Sequence, residues 1–494
     1  MSEISILVLD EGTTSTRAML FGLDGAPRGV AQRELTQFYP KAGWVEHDAA
    51  EIWERTLTCA RAMIEHAGGA EKIAAIGITN QRETVVAWDR QTGEPLSRAI
   101  VWQDRRTAEF CAELRKAGEE AAVRDKTGLL LDPYFSATKM RWLLDNDEAV
   151  SGAAQRGTLA FGTVESWLVW KLTDGERHLT DATNASRTLL LGLDAPTWDA
   201  GLCEMFGVPL VALGDVVDNH GQIASTSDKV LNAVIPITGL AGDQQAAMIG
   251  QACLRPGESK ATYGTGAFVL TNMGGTLPRS QNRLLGTVLS QSGGERTYAL
   301  EGSVFVAGSM IKYLRDTLGL IEDAAESEAL ARSVESSGGV VVVPALTGLG
   351  APHWLPHARG TITGLGFETG KAHIVRAALE SMAHQTKDLA DAFAADGAEW
   401  SKLKIDGGMS ANDWMAQDIA DLLVLKVTRP DFVETTALGA AILAAAGAGL
   451  HDGLAKAASA MTGPAHDFEP AMDAQTRSAR IANWDAAIAK LGVD

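Results

Sequence analysis

A chain of 494 residues exceeds what one hydrophobic core normally supports, so two large domains or more are expected. Hydrophobic residues at 46% and charged residues at 21% describe a globular chain that needs no partner to fold. A net charge of −19 excludes a basic nucleic-acid face but leaves room for a local basic pocket for an anion such as ATP. The four cysteines, Cys59, Cys111, Cys203 and Cys253, lie far apart with no C-x-x-C pair. That spacing argues against a zinc site or disulfide framework and fits a reducing cytosol. No basic segment followed by a cleavable apolar stretch opens the sequence. The longest uncharged run, residues 435–450, is mostly Ala and Gly; it is too weakly hydrophobic to span a bilayer and reads as a helix packed closely inside the protein.

The first expected strand, residues 4–10, ends in the carboxylate of Asp10. Glu11-Gly-Thr-Thr-Ser-Thr16 is a hydroxyl-rich turn and residues 17–21 a returning strand. Such a hairpin offers backbone N–H groups and hydroxyls at its tip, beside an aspartate. Phosphates need those donors and Mg²⁺ needs a hard oxygen ligand, although Asp and Gly also build ordinary hairpin turns. Residues 72–79 read as a strand leading into Asn80-Gln-Arg-Glu83. Further strands are expected at 84–88 and 99–102, the second running into Gln103-Asp-Arg-Arg106. Polar side chains at strand ends with Trp102 beside them suit a small hydroxylated ligand; surface turns with local ion pairs are the alternative. Helices are expected at 136–144 and 161–172, with Trp167 and Trp170 as core.

The chain is organised around Ile237-Thr-Gly-Leu-Ala-Gly-Asp-Gln-Gln-Ala-Ala247. An apolar lead-in, two glycines and a small-residue run that opens a helix put the Asp243 carboxylate at a strand end beside two amides. Small substrates tend to meet sheets at such ends; an aspartate at a strand–helix junction also serves as an ordinary helix cap. Ser259-Lys-Ala-Thr-Tyr-Gly-Thr-Gly-Ala-Phe-Val-Leu-Thr271 then repeats the strand, Gly/Thr tip, strand design about 250 residues after the first copy. Two hairpins of one design suggest two related halves with a boundary near residues 251–256. A phosphate hairpin in each half resembles the layout of the actin-like, ribonuclease-H-like ATPases, where nucleotide lies in a cleft that opens and closes. Beyond it, 339–344 reads as a buried strand ending at a Gly/Pro loop and 372–395 as a long helix. Residues 403–408 read as a strand ending in Asp-Gly-Gly, whose glycines would let a flat ring lie against the backbone, with Asn412 placed to bond it. The last forty or so residues read as Ala-rich helix.

Asp10-Glu-Gly-Thr-Thr-Ser-Thr-Arg17, Gly43-Trp-Val-Glu-His-Asp48, Ile78-Thr-Asn-Gln-Arg-Glu-Thr84, Val101-Trp-Gln-Asp-Arg-Arg106 and Thr435-Thr-Ala-Leu-Gly-Ala440 together resemble the FGGY carbohydrate kinase family, in particular its glycerol-phosphorylating members. Residues 134–146 and 360–380 fit two patterns common to that family. The resemblance implies an α/β fold of two duplicated actin-like (ribonuclease-H-like) ATPase domains, 1–252 and 253–494, around an interdomain cleft. It also implies transfer of the γ-phosphoryl group of ATP to glycerol, giving sn-glycerol 3-phosphate, in the cytoplasm. Carried over by matched motif, Arg82, Glu83, Trp102, Tyr134, Asp243, Gln244 and Phe268 would form the glycerol pocket. Thr13, Thr14, Ser15 and Arg17 would form the first phosphate loop, and Thr265 with Gly266 the second. Gly308, Lys312, Gly408 and Asn412 would surround the nucleotide. Asp243 is the implied general base, Asp10 and Asp243 the carboxylates near Mg²⁺, and Arg17 a catalytic charge on the transferred group.

The implied partners are glycerol and ATP, with no nucleic acid or membrane span, and the implied assembly is a homo-oligomer, dimer or tetramer. Glu11 and Lys312 stand where relatives usually carry Gln, and Asp104 where a Cys is familiar. Glu11 is expected to add a negative charge beside the phosphate loop, so nucleotide affinity is the property at stake. Two other readings compete: a kinase of the same family for another polyol or ketose, and an idle actin-like scaffold that binds nucleotide and a protein partner. The Arg82-Glu83 pair speaks against the first; intact Asp10, Asp243 and Thr265 speak against the second.

Overall fold

The computed structural model describes residues 4–355 and 357–491. Its first sheet contains β1 (Ser5–Glu11), β2 (Ser15–Phe21), β3 (Pro27–Glu34), β4 (Ile73–Asn80), β5 (His220–Ser225) and β6 (Pro236–Gly242), in the order β5-β6-β4-β1-β2-β3. β1 is buried along its whole length, which is why its sequence is a continuous apolar run rather than an alternating one. The second sheet contains β7 (Glu258–Tyr263), β8 (Ala267–Gly274), β9 (Leu285–Ser292), β10 (Glu295–Val304), β11 (Lys402–Asp406), β12 (Val427–Pro430) and β13 (Ala465–Phe468), in the order β9-β10-β8-β7-β11-β12-β13.

The two sheets share one pairing pattern. In the first, β3, β2 and β1 are mutually antiparallel, β1, β4 and β6 run parallel, and β5 closes the edge antiparallel. In the second, β10, β8 and β7 are antiparallel, β7, β11 and β12 parallel, and β13 closes antiparallel. The duplication expected from the two hairpins is therefore an architectural one. The edge strand comes from different places: β5 precedes its neighbour in the chain, whereas β13 follows its own.

Helix α1 (Ala49–Ala67) packs on the first sheet, capped by Asp48 and ended by Gly68 at φ 92°. Four more helices matter to the site: α2 (Asp243–Gly250), α3 (Lys371–Ala395), α4 (Asp413–Leu423) and α5 (Thr435–Gly447). Although α5 comes late in the chain, it packs on the first sheet and crosses α2. Close approach depends on glycine: a Cβ on Gly439 would stand 1.8 Å from the Ala246 carbonyl oxygen, and one on Gly250 1.9 Å from that of Thr435. The Ala/Gly run is thus a helix pressed backbone to backbone into the protein. Among the described residues no helix is long and apolar enough to cross a membrane. All four cysteines are buried and free.

Two expectations need correction. Residues 161–172 are not one helix: Leu159–Gly162 is a strand paired with Val86–Asp89, and the helix covers only Val164–Leu172. A short apolar run has the same signature in a buried strand and a buried helix, so periodicity could not place the break. Trp167 and Trp170 are nonetheless core, packed on Trp88. The C-terminal stretch is not all helical either, since β13 extends the second sheet before the final helix, Ala474–Ala489.

Candidate active site

The tip of each of the two hairpins is held by backbone hydrogen bonds from within its own half. In the first, the Gly12 N–H donates to the Ser15 carbonyl at 3.0 Å and closes the tip that carries Thr13, Thr14 and Ser15. Register places Asp10 opposite Arg17, whose guanidinium bonds the Asp10 carboxylate at 2.5 Å and Glu434 at 2.6 Å. Burial raises the Asp10 carboxyl above its ordinary value; Arg17 opposes that shift, while Glu434 and Asp243 add to it. In the second hairpin, Ala307 and Ser309 N–H groups donate to the Thr265 carbonyl at 2.9 and 3.1 Å, and Gly308 N–H to that of Gly264 at 2.9 Å. A Cβ on Gly308 would lie 2.5 Å from the Gly264 oxygen, so that approach requires glycine. Gly408, by contrast, has nothing within 4 Å of its Cβ position, leaving open space above the backbone after β11.

Asp243 is the first residue of α2, and Gly242 holds the cap position, so the carboxylate is not the helix cap. Its Oδ1 accepts from the Gln244 N–H at 2.6 Å and faces Arg82 Nε at 3.2 Å, and 34% of the side chain stays exposed. Burial raises this carboxyl too, against the pull of Arg82, Lys260 and the Gln244 N–H. The Gly242 N–H just before it is held by Thr183 Oγ1 at 2.9 Å.

Arg82 and Glu83 follow β4 on a tight turn. Glu83 has φ 63°, and the Thr84 N–H donates back to the Arg82 carbonyl at 2.7 Å. A left-handed non-glycine residue costs about 1–3 kcal/mol and persists where surroundings fix it; here buried ions do so. Arg82 Nη1 and Nη2 bond the two Glu301 oxygens at 2.6 and 3.2 Å, and Arg187 bonds Glu83 Oε1 at 2.6 Å and Glu301 Oε1 at 3.0 Å. Burial alone would raise Glu301, but Arg187 and Arg82 outweigh it and hold the carboxyl down at about 2. Trp102 donates its indole N–H to Thr13 Oγ1 at 2.9 Å and meets Tyr134 and Phe268 edge-on at 5.7 and 6.4 Å. Trp102 and Tyr134 thus adjoin the tip of the first hairpin, with Phe268 supplied by the second sheet.

Family models for the FGGY family of carbohydrate kinases match this chain, the N-terminal domain over residues 5–250 and the C-terminal domain over 259–448. The chain belongs to the FGGY family of carbohydrate kinases. It is 53% identical to a glycerol kinase of Alcanivorax borkumensis over 98% of both chains, and 51% identical to a glycerol kinase of Rhodospirillum rubrum over 99% of both. The crystal structure of Plasmodium falciparum glycerol kinase with ADP superposes with a TM-score of 0.95 at 35% identity, covering 100% of this chain and 99% of that one. A xylulose kinase structure from Rhodospirillum rubrum gives 0.88 at 25% identity, with 99% of each chain covered.

Within this FGGY kinase, Arg82, Glu83, Trp102, Tyr134, Asp243, Gln244 and Phe268 form one contact network. Arg82 Nη2 reaches the Tyr134 hydroxyl at 3.4 Å, and Gln244 is bonded by Lys260. Asn412 caps α4, its Oδ1 accepting the Met415 N–H at 2.9 Å while its Nδ2 donates to Ser327 Oγ at 3.4 Å, so one lone pair and one N–H remain for a ligand. Lys312 lies exposed on the helix Gly308–Asp316.

Glu11 departs from expectation. Successive strand residues point to opposite faces, so with Asp10 turned to Arg17, Glu11 points into the core against α1. There Thr16 and Thr56 hydroxyls donate to Oε1, and Oε2 has no partner. Burial pushes its carboxyl up to about 8, leaving it mostly protonated near neutrality, so it adds no charge to the loop. Asp104 is likewise internal, accepting the Val45 N–H at 2.7 Å.

Glu301, Arg187, Lys260 and Glu434 were not singled out by sequence reasoning. For Glu301 and Lys260 a signal exists, a charge within the buried stretch of a strand, because such charges are seldom buried unpaired.

Among the described residues no group of three or more His, Cys, Asp or Glu could hold a metal by itself. Asp10 and Asp243, which lie at the same end of the first sheet because Glu11 and Gly242 both pair with Asn80, offer two hard oxygen donors without thiolate or imidazole. That donor set fits Mg²⁺, which keeps several waters and takes phosphate oxygens as further ligands.

Proposed function

We propose that the protein transfers the γ-phosphoryl group of ATP to a primary hydroxyl of glycerol, giving sn-glycerol 3-phosphate. The observation that carries this reading is the position of Asp243: a partly open carboxylate beside Arg82, at the same sheet end as Asp10 of the first hairpin, since Gly242 and Glu11 are both register partners of Asn80. Relatives named glycerol kinase at 53% and 51% identity support the choice of substrate, as does the TM-score of 0.95 to a glycerol kinase solved with ADP. Arg82 N–H groups and the Glu83 carboxylate would bond hydroxyls, and Trp102 with Phe268 would cover the carbon edge. Asp243 would take the proton of the attacking hydroxyl, while Thr13, Thr14, Ser15, Thr265 and Gly266 hold phosphates and Arg17 offsets charge on the transferred oxygens. Asp10 and Asp243 would hold Mg²⁺, which when bound neutralises charge on the phosphates. Gly308, Gly408 and the Asn412 amide would border the nucleoside, with Lys312 at the rim.

The test is turnover with ATP on a panel of glycerol, erythritol and D-xylulose, with the configuration of the product determined. Glycerol should give by far the highest kcat/KM and a single enantiomer. A ketose preferred over glycerol would overturn the assignment.

A further inference from the structure

Four charged side chains from distant parts of the chain meet behind the polyol-type residues. Arg82 and Glu301 are 219 positions apart and Arg187 and Glu83 104 apart, and each of the four side chains is 2% exposed or less. Glu301 belongs to β10 in the second sheet, so this cluster also ties the two sheets together. Glu301 takes one N–H from each Nη group of Arg82, while Gln245 Oε1 and the Tyr134 hydroxyl, each at 3.4 Å, meet the outer sides of Nη1 and Nη2, and Nε faces Asp243. Arg187 occupies Glu83 Oε1, while Glu83 Oε2 accepts no hydrogen bond among the described residues. The Arg187 guanidinium also lies 5.5 Å from the centre of the Tyr134 ring and 5.2 Å from that of Phe135, and its Nη1 has no hydrogen-bond partner.

Buried ion clusters are weak contributors to stability, since well-packed apolar residues often replace them at no loss. Their strength is geometry: a guanidinium fork fixes a carboxylate in plane and direction. We propose that Glu301 and Arg187 are positioning residues of the polyol pocket, holding Arg82, Glu83 and Tyr134 in a fixed orientation toward Asp243. The inference rests on the glycerol reading, and it makes polyol recognition depend on a residue of the second sheet that touches no substrate.

The test is the double variant Arg187→Met/Glu301→Gln, which removes one charge of each sign and so leaves the buried balance unchanged. It should fold with a melting temperature near wild type, raise the glycerol KM at least tenfold, and leave the ATP KM within about twofold. A folded double variant with wild-type glycerol KM would show that the cluster is only structural. Arg187→Lys provides a second measurement, because it keeps the charge but loses the fork: a raised glycerol KM supports positioning, and an unchanged one counts against it even if the double variant fails to fold. Wild-type turnover on glycerol reads the functional assignment separately. Were another polyol the better substrate, the same variant-to-wild-type KM ratios on that polyol would decide the role of the cluster.

Discussion

An aspartate proposed to accept a proton cannot be saturated by donors. Both protein contacts to Asp243, from Gln244 and Arg82, fall on Oδ1, and Oδ2 takes no hydrogen bond among the described residues. Asp243→Asn keeps the shape but loses basicity and charge, so kcat should fall roughly 10²–10⁴-fold, the range for losing a general base. That is about 2.7–5.5 kcal/mol at 1.36 kcal/mol per tenfold. Because Gly242, not Asp243, holds the cap position, the melting temperature should barely move; a stable variant with near-normal turnover would remove the base from the mechanism. Glu11 yields a stability prediction instead. Its folded carboxyl titrates near 8 against an ordinary 4.5, so between those values the folded protein holds a proton that the unfolded chain has lost. Stability from this group is therefore full below about 4.5, falls as pH rises through 8, and is level above. Glu11→Gln removes the titration. In urea unfolding the variant should gain on wild type between pH 6 and pH 9 by about 3 kcal/mol, for the roughly two units below 8 at 1.36 kcal/mol per unit, and a constant difference would mean that Glu11 is not the titrating group.

The crossing of α2 and α5 is where packing and chemistry meet, because α2 begins with Asp243 and its body is held by a helix that arrives from the second half of the chain. Gly439→Ala places a methyl 1.8 Å from the Ala246 carbonyl oxygen, which only backbone movement can relieve. A loss of about 1–3 kcal/mol or more is expected from such overpacking, with a fall in kcat as α2 shifts. Gly463→Ala, where nothing lies within 4 Å, is the control and should leave both stability and turnover unchanged. Calorimetry and steady-state kinetics on the pair check this. That α5 is a tightly packed helix was legible from its Ala/Gly composition, and both hairpins were legible from apolar strands flanking a Gly/Thr tip, because these signals are local. The strand Leu159–Gly162 was not, since four apolar residues carry no period that separates strand from helix. The motif residues that folding gathers around Asp243 could be named from the sequence, but Arg187 could not: it sits in a stretch with no pattern, and its contacts appear only when folding brings Glu83 and Glu301 to it. The side to which Glu11 points was legible in principle from strand alternation against Asp10.

At the scale of the whole molecule, the contacts between the two sheets' elements differ in kind. At α2 and α5 they are glycine-mediated and close-packed; at Arg82 and Glu301 they are ionic and buried. Arg17 and Glu434 instead form a bridge at the rim, with side chains 23% and 39% exposed, next to the phosphate tip. Opening at the first two places would strip backbone contacts or isolate buried charges, whereas the rim bridge can exchange with water or phosphate at little cost. Relative motion should therefore pivot near α2 and α5 and be largest at the tips carrying Thr13 to Ser15 and Thr265. Phosphoryl transfer gains from excluding water, and closure on ligand is the usual means. Glycerol together with a non-hydrolysable ATP analogue should bring the two tips together and lower the radius of gyration in small-angle scattering, more than either ligand alone. Glu434→Gln weakens the rim bridge while keeping side-chain size at the cap of α5, where the Glu434 side chain makes no cap hydrogen bond, so it should enlarge the ligand-free form and leave the doubly bound form unchanged. A radius of gyration that stays the same on adding both ligands would count decisively against a closing cleft.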